Sequence, residues 1–81
     1  MLDAVSIGAV FRKYRKEKGL SQEVLSGLAG LDRTHYSKIE RGLRSPTLET
    51  LFKIANALDV PPHELIIAIE KIEGYSPGGI P

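Results

Sequence analysis

The stretch SQEVLSGLAGLDRTHYSKIERG, Ser21–Gly42, decides the fold. It holds two helix starts of the same construction. Ser21 can cap one helix with its side-chain oxygen, and Leu20 before it pairs with Leu25 four residues later. Asp32 can cap the next, with Leu31 and Tyr36 in the same places. A capping oxygen straddled by an apolar pair is a hydrophobic staple, which fixes the angle at which the chain enters a helix. Between the two helices lies only Ala29-Gly30-Leu31-Asp32. A turn this short, containing a glycine, sets two helices at a steep angle rather than side by side. The pattern predicts helices over about 22–28 and 33–41.

Upstream, a first helix starts near Asp3 or Ser6, either of which can cap it, and Ile7, Val10, Phe11 and Tyr14 recur at helical spacing. Gly19 ends it, because glycine accepts a left-handed backbone. Downstream, a fourth helix begins at Ser45 or Thr47 and presents Leu48, Leu51, Ile54, Ala55 and Leu58 as a core stripe. A fifth, over 62–73, starts at Pro61-Pro62 between the apolar pair Val60 and Leu65. On it Leu65, Ala68, Ile69 and Ile72 are expected to face the core, while Ile66 and Ile67 fall outside that stripe. No strand-like alternation and no internal repeat interrupts this order, so the expected fold is all-α in a single domain. The Gly/Pro-rich tail, 74–81, is expected to be mobile.

Composition narrows the chemistry. There is no cysteine for a disulfide or thiolate site, and His35 and His63 lie too far apart to suggest a metal site, so no metal or cofactor is expected. No Ser/His/acid set or glycine-rich phosphate loop suggests an enzyme. No apolar run reaches membrane-spanning length and no secretory signal opens the chain, which points to the cytoplasm. The net charge is only +1, but it is unevenly spread. Residues 1–44 carry nine Lys/Arg against five acids (+4), and residues 45–81 carry two against five (−3). A basic half points to a polyanionic partner.

Ser21-Gln22-Glu23, Leu25, Ala29-Gly30-Leu31-Asp32-Arg33, Ile39-Glu40-Arg41-Gly42, Pro46 and Ala57-Leu58-Asp59-Val60 resemble the Cro/repressor-type (XRE) helix-turn-helix family. The resemblance spans about residues 11–65. It implies a five-helix, lambda-repressor-like DNA-binding domain with the helix-turn-helix at about 22–41. It also implies a transcription regulator, nucleoid-associated, that binds double-stranded DNA at a palindromic operator as a homodimer. In such a domain the second helix crosses the sugar–phosphate backbone and the third enters the major groove. The third helix is also similar to that of restriction–modification controller proteins, which share an Arg-Thr-aromatic-aliphatic-Ser run. Here His35-Tyr36 moves the bulky ring to the core-facing site. Leu43 stands where relatives often carry a base, and Ser26 where alanine is usual, its hydroxyl able to bond back to the preceding turn.

Site residues follow from both readings. With Tyr36 and Ile39 turned to the core, Arg33, Thr34, Ser37 and Lys38 occupy the outward face, and the resemblance implies base contacts from them. Arg33 can grip guanine O6 and N7 with two donors, and Lys38 can reach the same edge as a point charge. Thr34 can meet a thymine methyl, and Ser37 can read either kind of base. Candidate phosphate contacts are Ser21 and Gln22 at the start of the second helix, His35, and Arg41 and Arg44 after the reading helix. The resemblance also implies an ion pair between Arg15 and Glu40. Surplus isoleucines on a polar face point to burial against a partner. Ile66, Ile67 and Glu70 are therefore the expected dimer interface, with cover by Tyr75 or Ile80 of the tail as the alternative. A different class of function, an antitoxin-like or coactivator-like protein-interaction module, would use the same apolar fifth helix.

Overall fold

Four helices begin at a side chain that accepts a hydrogen bond from its own first turn, and this sets where each one starts. In the computed structural model, which describes residues 2–74, the elements are α1 (Ala4–Glu17), α2 (Gln22–Ala29), α3 (Arg33–Glu40), α4 (Leu48–Leu58) and α5 (Pro62–Glu73). The Asp3 carboxylate accepts from the Val5 amide at 3.1 Å, so Asp3 rather than Ser6 opens α1. Ser21 accepts from Val24, Asp32 from His35 and Thr47 from Thr50, so Thr47 rather than Ser45 opens α4. Pro61 opens α5 with no side-chain bond; its ring and that of Pro62 preset the backbone instead.

The endings of α1 to α4 share one device. After α1, Leu20 donates back to the Arg15 carbonyl and Gly19 to Lys16. The same paired bonds run from Leu31 and Gly30 after α2, Leu43 and Gly42 after α3, and Val60 and Asp59 after α4. Each ending turns on one left-handed residue, three glycines and Asp59 at φ 59°. The apolar residue that completes the ending also begins the next staple in three cases: Leu20, Leu31 and Val60. One side chain thus closes one helix and aims the next, which is why the connections can be so short. Leu43 is the exception. A loop to Thr47 follows it, and its side chain is exposed.

Every helix contributes to one core. Phe11, Leu25, Tyr36, Ile39, Ile54, Leu58 and Leu65 are completely enclosed. α1 packs on α3 and α5, α2 on α3 and α4, and α4 on α5. One expectation for α5 fails: Ile72 is not in the core but 55% exposed. Past Ile69 the stripe runs beyond the enclosed region, and Ile72 opens into a surface groove with Val10, Lys13 and Tyr14 of α1. Of the expected mobile tail only Gly74 lies within the described residues, and Tyr75 and Ile80 lie outside them.

Two glycines seat α3 on α1. A methyl group at Gly8 would collide with the backbone carbonyls of Ile39 and Glu40, and one at Gly42 would lie 2.7 Å from Val5 Cγ2. Neither distance leaves room for a side chain, and Gly42 also needs its φ of 79°. The C-terminal end of α3 is therefore held against α1 backbone to backbone.

Candidate nucleic-acid interface

The polar edge of α3 is held outward by what its other edge is attached to. Asp32 starts the helix, Tyr36 and Ile39 lie fully buried, and Glu40 is 7% exposed. At 100° per residue this fixes the remaining face. Arg33 and Thr34 are exposed, and His35, Ser37 and Lys38 are partly so. A helix with its side chains is about 10–12 Å across, which the B-DNA major groove, about 12 Å wide, admits.

Behind this edge is a buried ionic clamp. Arg15 Nε donates to Glu40 Oε2 at 2.8 Å and Nη2 to Oε1 at 2.7 Å, the two-pronged geometry that suits a guanidinium and a carboxylate. Arg15 Nη1 donates to the Leu20 carbonyl at 2.8 Å, so the same side chain also fixes the turn into α2. Gln22 Nε2 donates to Glu40 Oε1 at 3.0 Å. One carboxylate thus joins α1, the start of α2 and the end of α3. Burial by itself raises the Glu40 pKa, but the bonds from Arg15 and Gln22, with Tyr36 alongside, outweigh it and leave the carboxyl below its ordinary value. The Arg15 pKa is raised, first by its bond to Glu40 and against the effect of its own burial. The Tyr36 hydroxyl sits beside the clamp but makes no hydrogen bond among the described residues. Burial, then the nearby Glu40 charge, keeps that phenol protonated far above the ordinary range.

The expected phosphate-contact residues share the surface around α3. Ser21 is exposed with its hydroxyl oxygen on Val24 N, and Gln22 is half-buried because it braces Glu40. Arg41 and Arg44 are exposed on the turn and loop after α3. Ser26 is buried, and its hydroxyl donates to the Glu23 carbonyl at 3.1 Å, as expected. Among the described residues there is no cluster of potential metal ligands, and no helix is long and apolar enough to cross a membrane.

The residues expected at a dimer interface are not brought together as one patch. Ile66 and Glu70 line an apolar groove with Leu2, Pro46, Leu48 and Leu51, whereas Ile67 opens on the opposite side of α5 into the groove along α1. Adjacent helical residues point 100° apart, and here that turn carries the two isoleucines into different grooves. Leu48, whose spacing predicts a core position, is 68% exposed at the start of α4. It instead belongs to the Ile66 groove, because the stripe on α4 begins a turn before the core closes over it.

Comparison with known proteins bears on what this surface meets. A family model described as helix-turn-helix matches residues 11–65. The chain is 44% identical over 68 residues to the control protein C.MunI of a Mycoplasma species, covering 83% of this chain and 92% of that one. Among solved structures it is similar to the restriction–modification controller protein C.AhdI from Aeromonas hydrophila. That match has 48% identity and a TM-score of 0.76, covering 78% of this chain and 96% of the other. It is also similar to SinR, a regulator of biofilm formation solved in complex with DNA, with 41% identity and a TM-score of 0.70. There the match covers 74% of this chain and 97% of that one; a SinR of the same identity comes from Bacillus subtilis. With residues 11–65 in the family's register and five helices in its order, the chain belongs to the Cro/repressor-type (XRE) helix-turn-helix family.

Proposed function

We propose that this DNA-binding transcription regulator reads a palindromic operator as a homodimer, placing α3 of each protomer in the major groove. The observation that carries the reading is the orientation of α3: its apolar edge is buried and its end clamped, so Arg33, Thr34, Ser37 and Lys38 form a rigid outward edge. Arg33, at the first position of the helix, takes guanine O6 and N7, and Lys38 reaches a neighbouring acceptor. Thr34 and Ser37 supply shorter-range contacts to methyl groups and base edges. Ser21, Gln22, His35, Arg41 and Arg44 hold phosphates on either side and set the register without reading sequence. Gln22 does so while bonded to Glu40, which couples the grip on the backbone to the position of the reading helix.

The two-fold partner sits on the groove lined by Leu48, Ile66 and Glu70. This groove includes Ser45, Pro46 and Thr47 from the loop after α3, so a second copy placed there adjoins the segment that follows the reading helix. A two-fold dimer of this kind reads half-sites one helical turn apart, about 34 Å. Ile67 lies outside this interface. Selection of binding sites from random duplex DNA tests the whole reading. Inverted repeats with a guanine in each half are expected. A selection that returns no consensus overturns the reading and favours a protein-interaction module.

A further inference from the structure

We infer that Arg12 on α1 supplies a further phosphate contact, outside the helix-turn-helix, beside the end of the reading helix. The inference rests on the DNA-binding reading above. Val5, Gly8, Arg12 and Arg15 follow one another at spacings of three and four, which places them along one edge of α1. Three of the four touch the end of α3 or the turn after it. Val5 meets Gly42, Gly8 meets the carbonyls of Ile39 and Glu40, and Arg15 holds the Glu40 carboxylate.

Arg12 lies on the same edge between Gly8 and Arg15, yet it is exposed. The carboxylate at this end of α3, Glu40, is already taken by two bonds from Arg15 and one from Gln22. Among the described residues the ion pairs are Arg15–Glu40 and Lys53–Glu49, and Arg12 takes part in neither. A cation thus stands exposed on the edge of α1 that seats the reading helix, outside both of those ion pairs. Lys16, one turn further along α1, is exposed next to it. The group that would neutralise Arg12 is an oxyanion outside the protein. With Gln22 and Arg41 flanking the same end of α3, the chemistry that fits is a DNA phosphodiester. The favourable field of the α3 C-terminus would also attract a guanidinium, and that purely structural role is the competing explanation.

The test compares wild type, R12Q, R12K and K13Q. Lys13 is the control because it faces the groove toward α5. Binding to the selected operator and to random duplex is followed from 50 to 300 mM salt, with the melting temperature of each protein. R12Q should weaken both duplexes by the same factor and leave the consensus and melting temperature unchanged. It should also flatten the log–log salt slope by about 0.9 per protomer. R12K should restore the slope, and K13Q should match wild type. An R12Q protein that melts lower but keeps the wild-type slope overturns the inference while leaving the DNA reading intact. A wild-type protein that binds no duplex overturns both.

Discussion

Replacing Glu40 with alanine should cost this domain a large part of its stability, and the structure says why. The change removes two short charge-assisted bonds from Arg15 and one from Gln22. It leaves a guanidinium only 9% exposed, retaining just its bond to the Leu20 carbonyl. Removing one partner of a buried pair costs roughly 3–5 kcal/mol, chiefly because the other charge is stranded. The surviving Leu20 bond places the expectation at about 3 kcal/mol. For a domain of this size each kcal/mol is worth at least ~4 °C, so the melting temperature should fall by ~12 °C or more. Thermal and urea unfolding followed by circular dichroism measures this, with Glu23→Ala, an exposed acid on α2, as the control. Replacing both Arg15 and Glu40 by apolar residues should cost less than Glu40→Ala alone, since no charge is then abandoned. Equal melting temperatures for Glu40→Ala and Glu23→Ala would refute the reasoning.

Three further outcomes follow from the same geometry. Alanine in a helix interior is ordinarily better than glycine, so Gly27→Ala, with nothing within 4 Å, should gain up to ~1 kcal/mol. Gly8→Ala should instead lose ~1–3 kcal/mol because its methyl meets fixed carbonyls; equal gains in urea midpoints would show that the seam between α1 and α3 is loose. Because the Glu40 pKa is depressed in the folded state, its contribution is fully present above the unfolded carboxyl value of about 4.3. It is lost as pH falls through the lower folded value. Stability curves between pH 7 and pH 3 should therefore drop more steeply for wild type than for Glu40→Gln, and parallel curves would contradict this. Ile66→Glu should yield a folded monomer with weakened operator binding, whereas Ile67→Glu should remain dimeric by sedimentation velocity. The reverse result would move the interface to the α1 side of α5.

Local chemistry made much of this molecule legible in its sequence. Caps such as Ser21 and Asp32 act within one turn of themselves, so their residue types and spacing were enough to start α2 and α3 correctly. The outward edge of α3 followed in the same way, because Tyr36 and Ile39 alone determine which face is left. What stayed hidden depends on other helices. Gly8 reads as an ordinary weak helix residue until α3 is brought against it. Leu48 and Ile72 fit a core periodicity but lie where no second element among the described residues closes over them. Ile66 and Ile67 are adjacent in the chain, and only the positions of α1 and α4 show that they serve different grooves. The clamp on Glu40 could be anticipated from the resemblance, but the share taken by Gln22 could not. The repeated endings were visible as Gly19-Leu20, Gly30-Leu31 and Asp59-Val60, each an apolar residue following a left-handed position.

Whether α3 reads bases from the major groove is decided by methylation interference on the selected operator. Dimethyl sulfate modifies guanine N7 in the major groove and adenine N3 in the minor groove of the same duplex. N7-methylguanine at one position in each half-site should block binding, N3-methyladenine within the half-sites should not, and Arg33→Ala should lose the guanine sensitivity. Interference from N3-methyladenine alone would mean that the outward edge of α3 is not what meets the bases.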